Sequence, residues 1–197
     1  MRNEYTGQRY VLRSNPGSAE AERIAGRRGW KILGVVPADS TRGTPREVLW
    51  NIEAGCDFFY VQDDVAECGY VYVGGRYQDP VERYSWEVAR EPEVFSSDEL
   101  LHMVRTATRT PERGAALVWL GVAATSHFDD GIFEAMAGGL RDPDPKIRSV
   151  ALWACTYSPW GEYESILDDL WKGDPDETIR ERAHVTRDAF LRVVPDE

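Results

Sequence analysis

One stretch of the sequence, present in two copies, decides the fold of the second half of the chain. It reads Asp142-Pro-Asp-Pro-Lys-Ile-Arg-Ser-Val-Ala151, and its pattern returns 32 residues later as Asp174-Pro-Asp-Glu-Thr-Ile-Arg-Glu-Arg-Ala183. Apolar residues at helical spacing separate the two copies. A repeat of this period indicates stacked helix pairs, each of which needs its neighbour to bury an apolar face.

Capping residues predict where these helices begin. An Asp, Ser or Thr precedes each apolar segment, and a proline stands beside four of these caps. The side chain of an Asp, Ser or Thr cap accepts a hydrogen bond from an N–H group that the first helical turn leaves unpaired. Proline has no N–H group that would need a partner there. We expect helices beginning near Ser96, Thr110, Asp130, Asp144, Ser158 and Asp176, the last of them reaching about Val193.

The first half of the chain has the alternating pattern of β-strands instead. Strands are predicted at Gln8–Arg13, Trp30–Val36, Cys56–Val61 and Tyr70–Val73, and one helix is predicted between the first two of these. Residues 44–52 match both a capping box and a strand, and the alternation of Val48, Trp50 and Ile52 favours the strand.

The stretch between this sheet and the helices is predicted to be an irregular acidic connection. Within it Tyr84, Trp86 and Val88 alternate as one edge strand would. The fold class predicted is therefore α+β. A small, mainly antiparallel sheet with one helix occupies residues 1–95, and a helical repeat domain occupies residues 96–197.

Composition places the chain among globular proteins. Of its 197 residues 42% are hydrophobic, and seven are tryptophan. The longest apolar stretch, Ala115–Ala124, is too short for a membrane span, which takes about 20 residues. Residues 1–9 lack the apolar segment of a secretory signal. We expect no membrane association and a cytoplasmic location.

The two copies of the repeated line resemble HEAT-like repeats, and the resemblance covers roughly residues 110–194. It implies that an Asp in each turn and an Arg in the following helix pair between successive repeats. Arg113-Gly-Ala-Ala-Leu117 is a weaker copy that lacks the aspartates. The structural ladder implied by the resemblance comprises Asp142, Asp144, Arg148, Asp174, Asp176 and Arg180.

Charge points to the kind of partner. The net charge is −11, and residues 41–100 carry thirteen acidic and five basic side chains. Such a surface repels phosphate backbones and steers basic proteins towards it. Aromatic side chains beside carboxylates make good protein contacts. The predicted partner-binding residues are Glu53, Asp57, Asp63, Asp64, Glu67, Tyr70, Tyr72, Tyr84 and Trp86.

Patterns that carry chemistry are missing from the sequence. His102, His127 and His184 form no HxxxH or HExxH motif, and the three cysteines have no CxxC spacing. The acidic residues lack EF-hand spacing, and the paired glycines lack the context of a phosphate loop. We therefore expect no catalytic residue, no cofactor and no metal.

The function expected is that of a non-catalytic protein-binding module with a basic protein partner. One concrete version is an immunity-type protein that neutralises a toxin. The alternative is a HEAT-like protein that binds nucleic acid or modifies its bases, for which Arg180, Arg182 and Arg187 would supply positive charge. A net charge of −6 over residues 101–197 opposes that alternative. A small-ligand role, by analogy with bilin-lyase-like repeats, is a third hypothesis.

Overall fold

The structure is a computed structural model that describes residues 3–193. Its strands are β1 (Tyr5–Thr6), β2 (Tyr10–Val11), β3 (Lys31–Val36), β4 (Arg46–Glu53), β5 (Cys56–Asp63) and β6 (Cys68–Gly75). Its α-helices are α1 (Ser18–Arg27), α2 (Gln78–Val88), α3 (Ser97–Thr106), α4 (Thr110–Ala123), α5 (Asp130–Leu140), α6 (Pro145–Ala154), α7 (Glu164–Gly173) and α8 (Glu177–Val193). The α+β fold class is confirmed. The chain divides into two compact units, Met1–Ser96 and Ser97–Glu197.

The first unit is built on one antiparallel sheet with the strand order β1-β6-β5-β4-β3, and β2 also pairs with β6. Strand β4 confirms the strand favoured over residues 44–52. In β5 and β6, alternate residues such as Phe58, Tyr60, Val71 and Val73 are fully buried in the core of this unit. This alternation follows from the two-residue period of a strand, which points successive side chains to opposite faces.

Two helices belong to this sheet unit, where the sequence predicted one. Helix α1 contributes Ile24 and Ala25 to the core, and α2 contributes Val81 and Val88. The prediction of an irregular connection with an edge strand through Tyr84, Trp86 and Val88 was wrong, because these residues lie on α2. Its buried side chains recur three to four residues apart at Val81, Ser85 and Val88, which is the helical period.

The second unit consists of helices, and each helix packs against a neighbour in the chain. Helix α3 packs against α4, α5 against α6, and α7 against α8, while α4 packs against α6 and α6 against α8. The buried side chains of α4 and α6 are mostly small or aliphatic, among them Ala116, Leu117, Ile147 and Ala151. The predicted helix at Ser158 begins later, at Glu164, after a single 3-10 turn over Gly161–Tyr163.

Candidate protein-binding surfaces

The five carboxylates expected to form one acidic surface lie at opposite ends of β5. Asp63, Asp64 and Glu67 lie at the turn between β5 and β6, whereas Glu53 and Asp57 lie at the turn between β4 and β5. A strand rises about 3.3 Å per residue, so the chain between Asp57 and Asp63 spans about 20 Å. The structure therefore separates these residues into two clusters.

The first cluster, residues 63–67, is called the acidic tip. One carboxylate oxygen of Asp63 accepts hydrogen bonds from the backbone N–H groups of Val65 (3.0 Å) and Ala66 (2.8 Å), which shapes the turn. Glu67 has a positive φ of 49°, which turns the chain into β6. Asp63 thus has a structural role within the tip.

The exposed part of the acidic tip combines charge with an apolar side chain. Val65 is 73% exposed, and Asp64 and Glu67 are exposed on either side of it. The Asp64 carboxylate accepts a hydrogen bond of 2.8 Å from the Gln62 amide. Among the described side chains, no cation forms an ion pair with Asp64 or Glu67. The tip therefore presents two uncompensated negative charges to solvent.

In the second cluster, one of the two carboxylates is paired with a cation of the sheet unit. The Glu53 carboxylate forms an ion pair with Arg83 at 3.2 Å and accepts a hydrogen bond of 3.2 Å from the Tyr84 hydroxyl. Asp57 accepts a hydrogen bond of 3.1 Å from the Asn51 amide. Burial and the adjacent Glu53 carboxylate raise the pKa of Tyr84. A basic partner therefore finds fewer carboxylates without a cation at this end of the sheet than at the acidic tip.

Tyr70 and Tyr72 lie on the face of β6 opposite the core of the sheet unit. The ring of Tyr72 stacks on Phe59 with centroids 4.6 Å apart, and Tyr70 follows at 6.5 Å. Both tyrosines are half-buried, and burial raises the pKa of Tyr70 to about 12, so its hydroxyl stays protonated at neutral pH. Tyr70 pairs with Val61 close to the acidic tip, while Tyr72 lies two residues further along β6.

Trp86 is placed by helix α2 rather than by a strand. It is 61% exposed, and the guanidinium group of Arg90 lies over its ring. An arginine on an aromatic face is a favourable pair in itself. Trp86 is therefore a separate exposed aromatic, and the structure does not place it in the acidic tip.

The structure also contains an exposed apolar strand whose functional interest the sequence pattern did not reveal. All six residues of β3 are exposed, including four large apolar side chains. Their exposed fractions are 60% for Ile32, 59% for Leu33, 50% for Val35 and 41% for Val36. An unbroken apolar run is typical of a strand buried on both faces. The only signal in the sequence was therefore one that pointed to burial.

The helical unit contains a chain of aspartate and arginine side chains that joins consecutive helix pairs. Nε and Nη2 of Arg148 donate to the two carboxylate oxygens of Asp174, at 2.7 and 2.8 Å. Nη1 of the same side chain donates to the carbonyl oxygens of Asp142 (2.9 Å) and Pro143 (3.2 Å). Arg148 and Asp174 are both buried. This pair links the turn before α6 to the turn before α8.

A second pair of the same kind involves a residue outside the predicted ladder. Arg113 on α4 forms an ion pair of 2.6 Å with the buried carboxylate of Asp142. Arg113 pairs with the first aspartate of the turn before α6, just as Arg148 pairs with the first aspartate of the turn before α8. The signal that could have identified it was the weaker copy of the repeated line, which begins at Arg113.

The second aspartate of each turn caps the helix that follows. Asp144 accepts a hydrogen bond of 2.9 Å from the N–H of Lys146 at the start of α6. Asp176 accepts one of 2.8 Å from the N–H of Thr178 at the start of α8. The first aspartate also accepts from the N–H of the second in both turns. These aspartates are structural, because each satisfies backbone groups that a helix start leaves unpaired.

The arginines that would supply a nucleic-acid site are engaged within the helical unit. Nη1 of Arg180 donates to the carbonyl oxygens of Asp174 and Pro175, and Arg182 donates to the Ser149 hydroxyl. Arg187 lies 3.0 Å from a carboxylate oxygen of Asp168 and over the ring of Trp171. Phosphate binding at these three side chains would compete with contacts already made.

The buried thiols are poorly suited to nucleophilic chemistry. Burial raises the pKa of Cys56 to about 11 and those of Cys68 and Cys155 to about 12. A thiol with such a pKa is almost entirely protonated at neutral pH, and the thiolate is the reactive form. Over residues 3–193 there is also no group of three His, Cys, Asp or Glu side chains arranged to hold a metal ion.

Comparison with known proteins found no matching family, no curated protein and no solved structure similar to this chain. The resemblance of residues 110–194 to HEAT-like repeats therefore stays a prediction. Within the described residues, no helix combines the length and the apolar character that crossing a bilayer requires.

Proposed function

We propose that the chain is a non-catalytic protein-binding module whose acidic tip engages a basic protein partner. The observation that carries the proposal is the exposed part of that tip. Asp64 and Glu67 are exposed without a compensating cation among the described side chains, and Val65, which lies between them in the sequence, is 73% exposed. A protein partner can pair its cations with the carboxylates and cover the apolar side chain in the same contact.

Charge over the whole chain supports a basic partner. A net charge of −11 on 197 residues produces a long-range field that raises the rate of encounter with positively charged proteins. The short-range contact then determines how long the complex lasts. Exposed side chains of the tip, with Tyr70 adjoining them on β6, provide that contact.

A concrete version of the proposal is an immunity-type protein that neutralises a toxin by covering its surface. This role requires tight recognition and no chemistry from the binding protein itself. An acidic chain whose thiols are buried and protonated is compatible with this role, because the role needs a charged surface and no nucleophile. The version predicts that the partner is a basic protein whose activity falls when this chain binds.

The proposal is tested by co-expressing the chain with the products of adjacent genes and measuring co-purification. The test variant is Asp64→Lys with Glu67→Lys, which reverses both exposed charges of the tip. Its matched control is Glu22→Lys with Glu134→Lys, which changes the net charge equally on exposed faces of α1 and α5. We expect the tip variant to lose the partner and the control to retain it.

Two results would overturn the proposal. One is the absence of any basic protein among the products that co-purify. The other is an equal loss of binding in both charge variants, because that result would show that total charge matters and the tip does not.

A further inference from the structure

Strand β3 has an unprotected edge. It is the last strand in the order β1-β6-β5-β4-β3, so it pairs with β4 on one side, and no other strand within residues 3–193 pairs with its outer side. The outward N–H and C=O groups of an edge strand can pair with another strand. Soluble proteins usually cover or charge such an edge.

The side chains of β3 make its exposure costly on both faces of the sheet. Ile32 pairs with Trp50 and Val35 pairs with Val48, so these two side chains lie on the face of the sheet that carries the core. Val36 pairs with Glu47 and lies on the opposite face, and a register shift between Ile32 and Gly34 interrupts the regular alternation. Four large apolar side chains are at least 41% exposed, and they are consecutive except for Gly34. A second strand along the outer edge would contact these side chains on both faces at once.

The charges around β3 indicate what kind of strand fits there. Between Gly29 and Ala38 the only charged residue is Lys31, so this edge does not share the acidity that attracts a basic partner. When β3 (Lys31–Val36) pairs antiparallel with the same strand of a second copy, Lys31 of one copy lies opposite Val36 of the other. The two lysines therefore lie at opposite ends of the paired strands, and two copies of β3 bring no like charges together.

We propose that two copies of this chain pair antiparallel through their β3 strands, which joins the two sheets across a two-fold axis. The same surface meets itself in such an interface, as in most homodimers. The opposite edge of the sheet is made by β1 and β2, which have two residues each, and β2 is buried. That edge offers no comparable strand, so the assembly closes at two copies.

The mass of the protein in solution tests the proposal. Light scattering after size exclusion should give a dimer of the 22.3 kDa chain that dissociates on dilution. Leu33→Lys with Val35→Lys should raise the dissociation constant at least tenfold. The control Val185→Lys changes an apolar residue that is 68% exposed on α8 and should leave the constant unchanged. A monomer at the highest soluble concentration would overturn the proposal.

Cross-linking provides a second test that does not depend on the lysine variants. The three native cysteines are buried, so Leu33→Cys or Val35→Cys adds one accessible thiol to the chain. A short bismaleimide should join two copies through this thiol, and it should not do so in a Val185→Cys control. Equal cross-linking at all three positions, or none at positions 33 and 35, would contradict pairing through β3.

The dimer and the proposed function can be tested separately. Asp64→Lys with Glu67→Lys should leave the mass in solution unchanged, because the acidic tip lies outside β3. If that variant became monomeric, the interface would not be the one proposed.

Discussion

Arg148 carries a buried charge that its surroundings compensate. All three guanidinium nitrogens donate hydrogen bonds: two donate to Asp174, and the third donates to the backbone carbonyls of Asp142 and Pro143. Removing a guanidinium from water costs several kcal/mol unless its donors find acceptors. The arrangement therefore makes this one side chain important to the packing of α6 and α8.

The first prediction is that Arg148→Ala destabilises the protein by about 3 kcal/mol, because it leaves the buried carboxylate of Asp174 without its partner. The control is Arg180→Ala, whose side chain bonds backbone carbonyls only and is partly exposed. That change should cost about 1 kcal/mol. Urea unfolding measures both values, and an equal effect of the two substitutions would contradict the role given to the buried pair.

The second prediction concerns acid stability. Burial raises the pKa of Asp174, but the hydrogen bond from Arg148 and the N–H of Asp176 outweigh it and hold the pKa below its ordinary value of 3.8. A carboxylate with a lowered pKa stabilises the folded state above the unfolded pKa, and this stabilisation is lost as the pH falls through the folded pKa.

The unfolding free energy should therefore decrease as the pH drops below 3.8. In Asp174→Asn the decrease should be shallower, because the substituted residue has no proton to bind. Urea unfolding at several pH values between neutrality and about pH 3 measures the slopes. Identical slopes for the two proteins would show that Asp174 does not contribute to the pH dependence.

At the scale of elements, α4 and α6 approach closely where α4 carries a glycine. A Cβ atom built on Gly121 would lie 2.4 Å from the carbonyl oxygen of Ala154, which is a backbone atom and cannot move aside cheaply. A Cβ atom built on Gly138, on an exposed face of α5, would meet nothing within 4 Å apart from the adjoining backbone of its own helix. Gly138 is therefore a suitable control position for substitutions at Gly121.

The third prediction is that Gly121→Ala lowers the unfolding free energy by roughly 1–3 kcal/mol, since the extra methyl group must push the two helices apart. Gly138→Ala should instead raise it by roughly 0.5–1 kcal/mol, because alanine favours a helix over glycine. Thermal unfolding followed by circular dichroism measures the difference. Two changes of the same sign would contradict the close contact.

The local patterns of the sequence were sufficient for most elements, but they were wrong for α2 and for the start of α7. Proline and aspartate caps indicated the starts of α4, α5 and α6, because capping depends on neighbouring residues only. Over only five residues, the pattern from Tyr84 to Val88 fits both a strand and a helix. The packing of α2 against β6 favours the helix. Exposure of β3 could not be predicted, because it depends on the strand order of the sheet.

At the scale of the whole molecule, the cysteines report on the folded state of both units. Cys56 and Cys68 are buried in the sheet unit and Cys155 in the helical unit. The fourth prediction is that a thiol reagent labels none of them in the native protein at neutral pH and labels all three in denaturant. Mass spectrometry counts the labels. Rapid labelling of one thiol under native conditions would indicate that its unit opens locally.

The candidate site was predictable in composition but not in arrangement. The excess of acidic residues between positions 41 and 100 was visible in the sequence, and so were the strands at Cys56–Val61 and Tyr70–Val73. Asp57 and Asp63 are close in sequence, yet an extended strand carries them to opposite ends of the sheet. Neutralisation of Glu53 by Arg83 joins residues 30 positions apart and required the fold.

The fifth prediction concerns the surface that binds the partner, and the most direct test of it is a map of backbone amide chemical shifts. The labelled chain is titrated with a basic protein that co-purifies with it. The proposed function predicts that the largest changes cluster at residues 63–70, around the acidic tip and Tyr70. Changes confined to the helices of the second unit, with none at the tip, would contradict it.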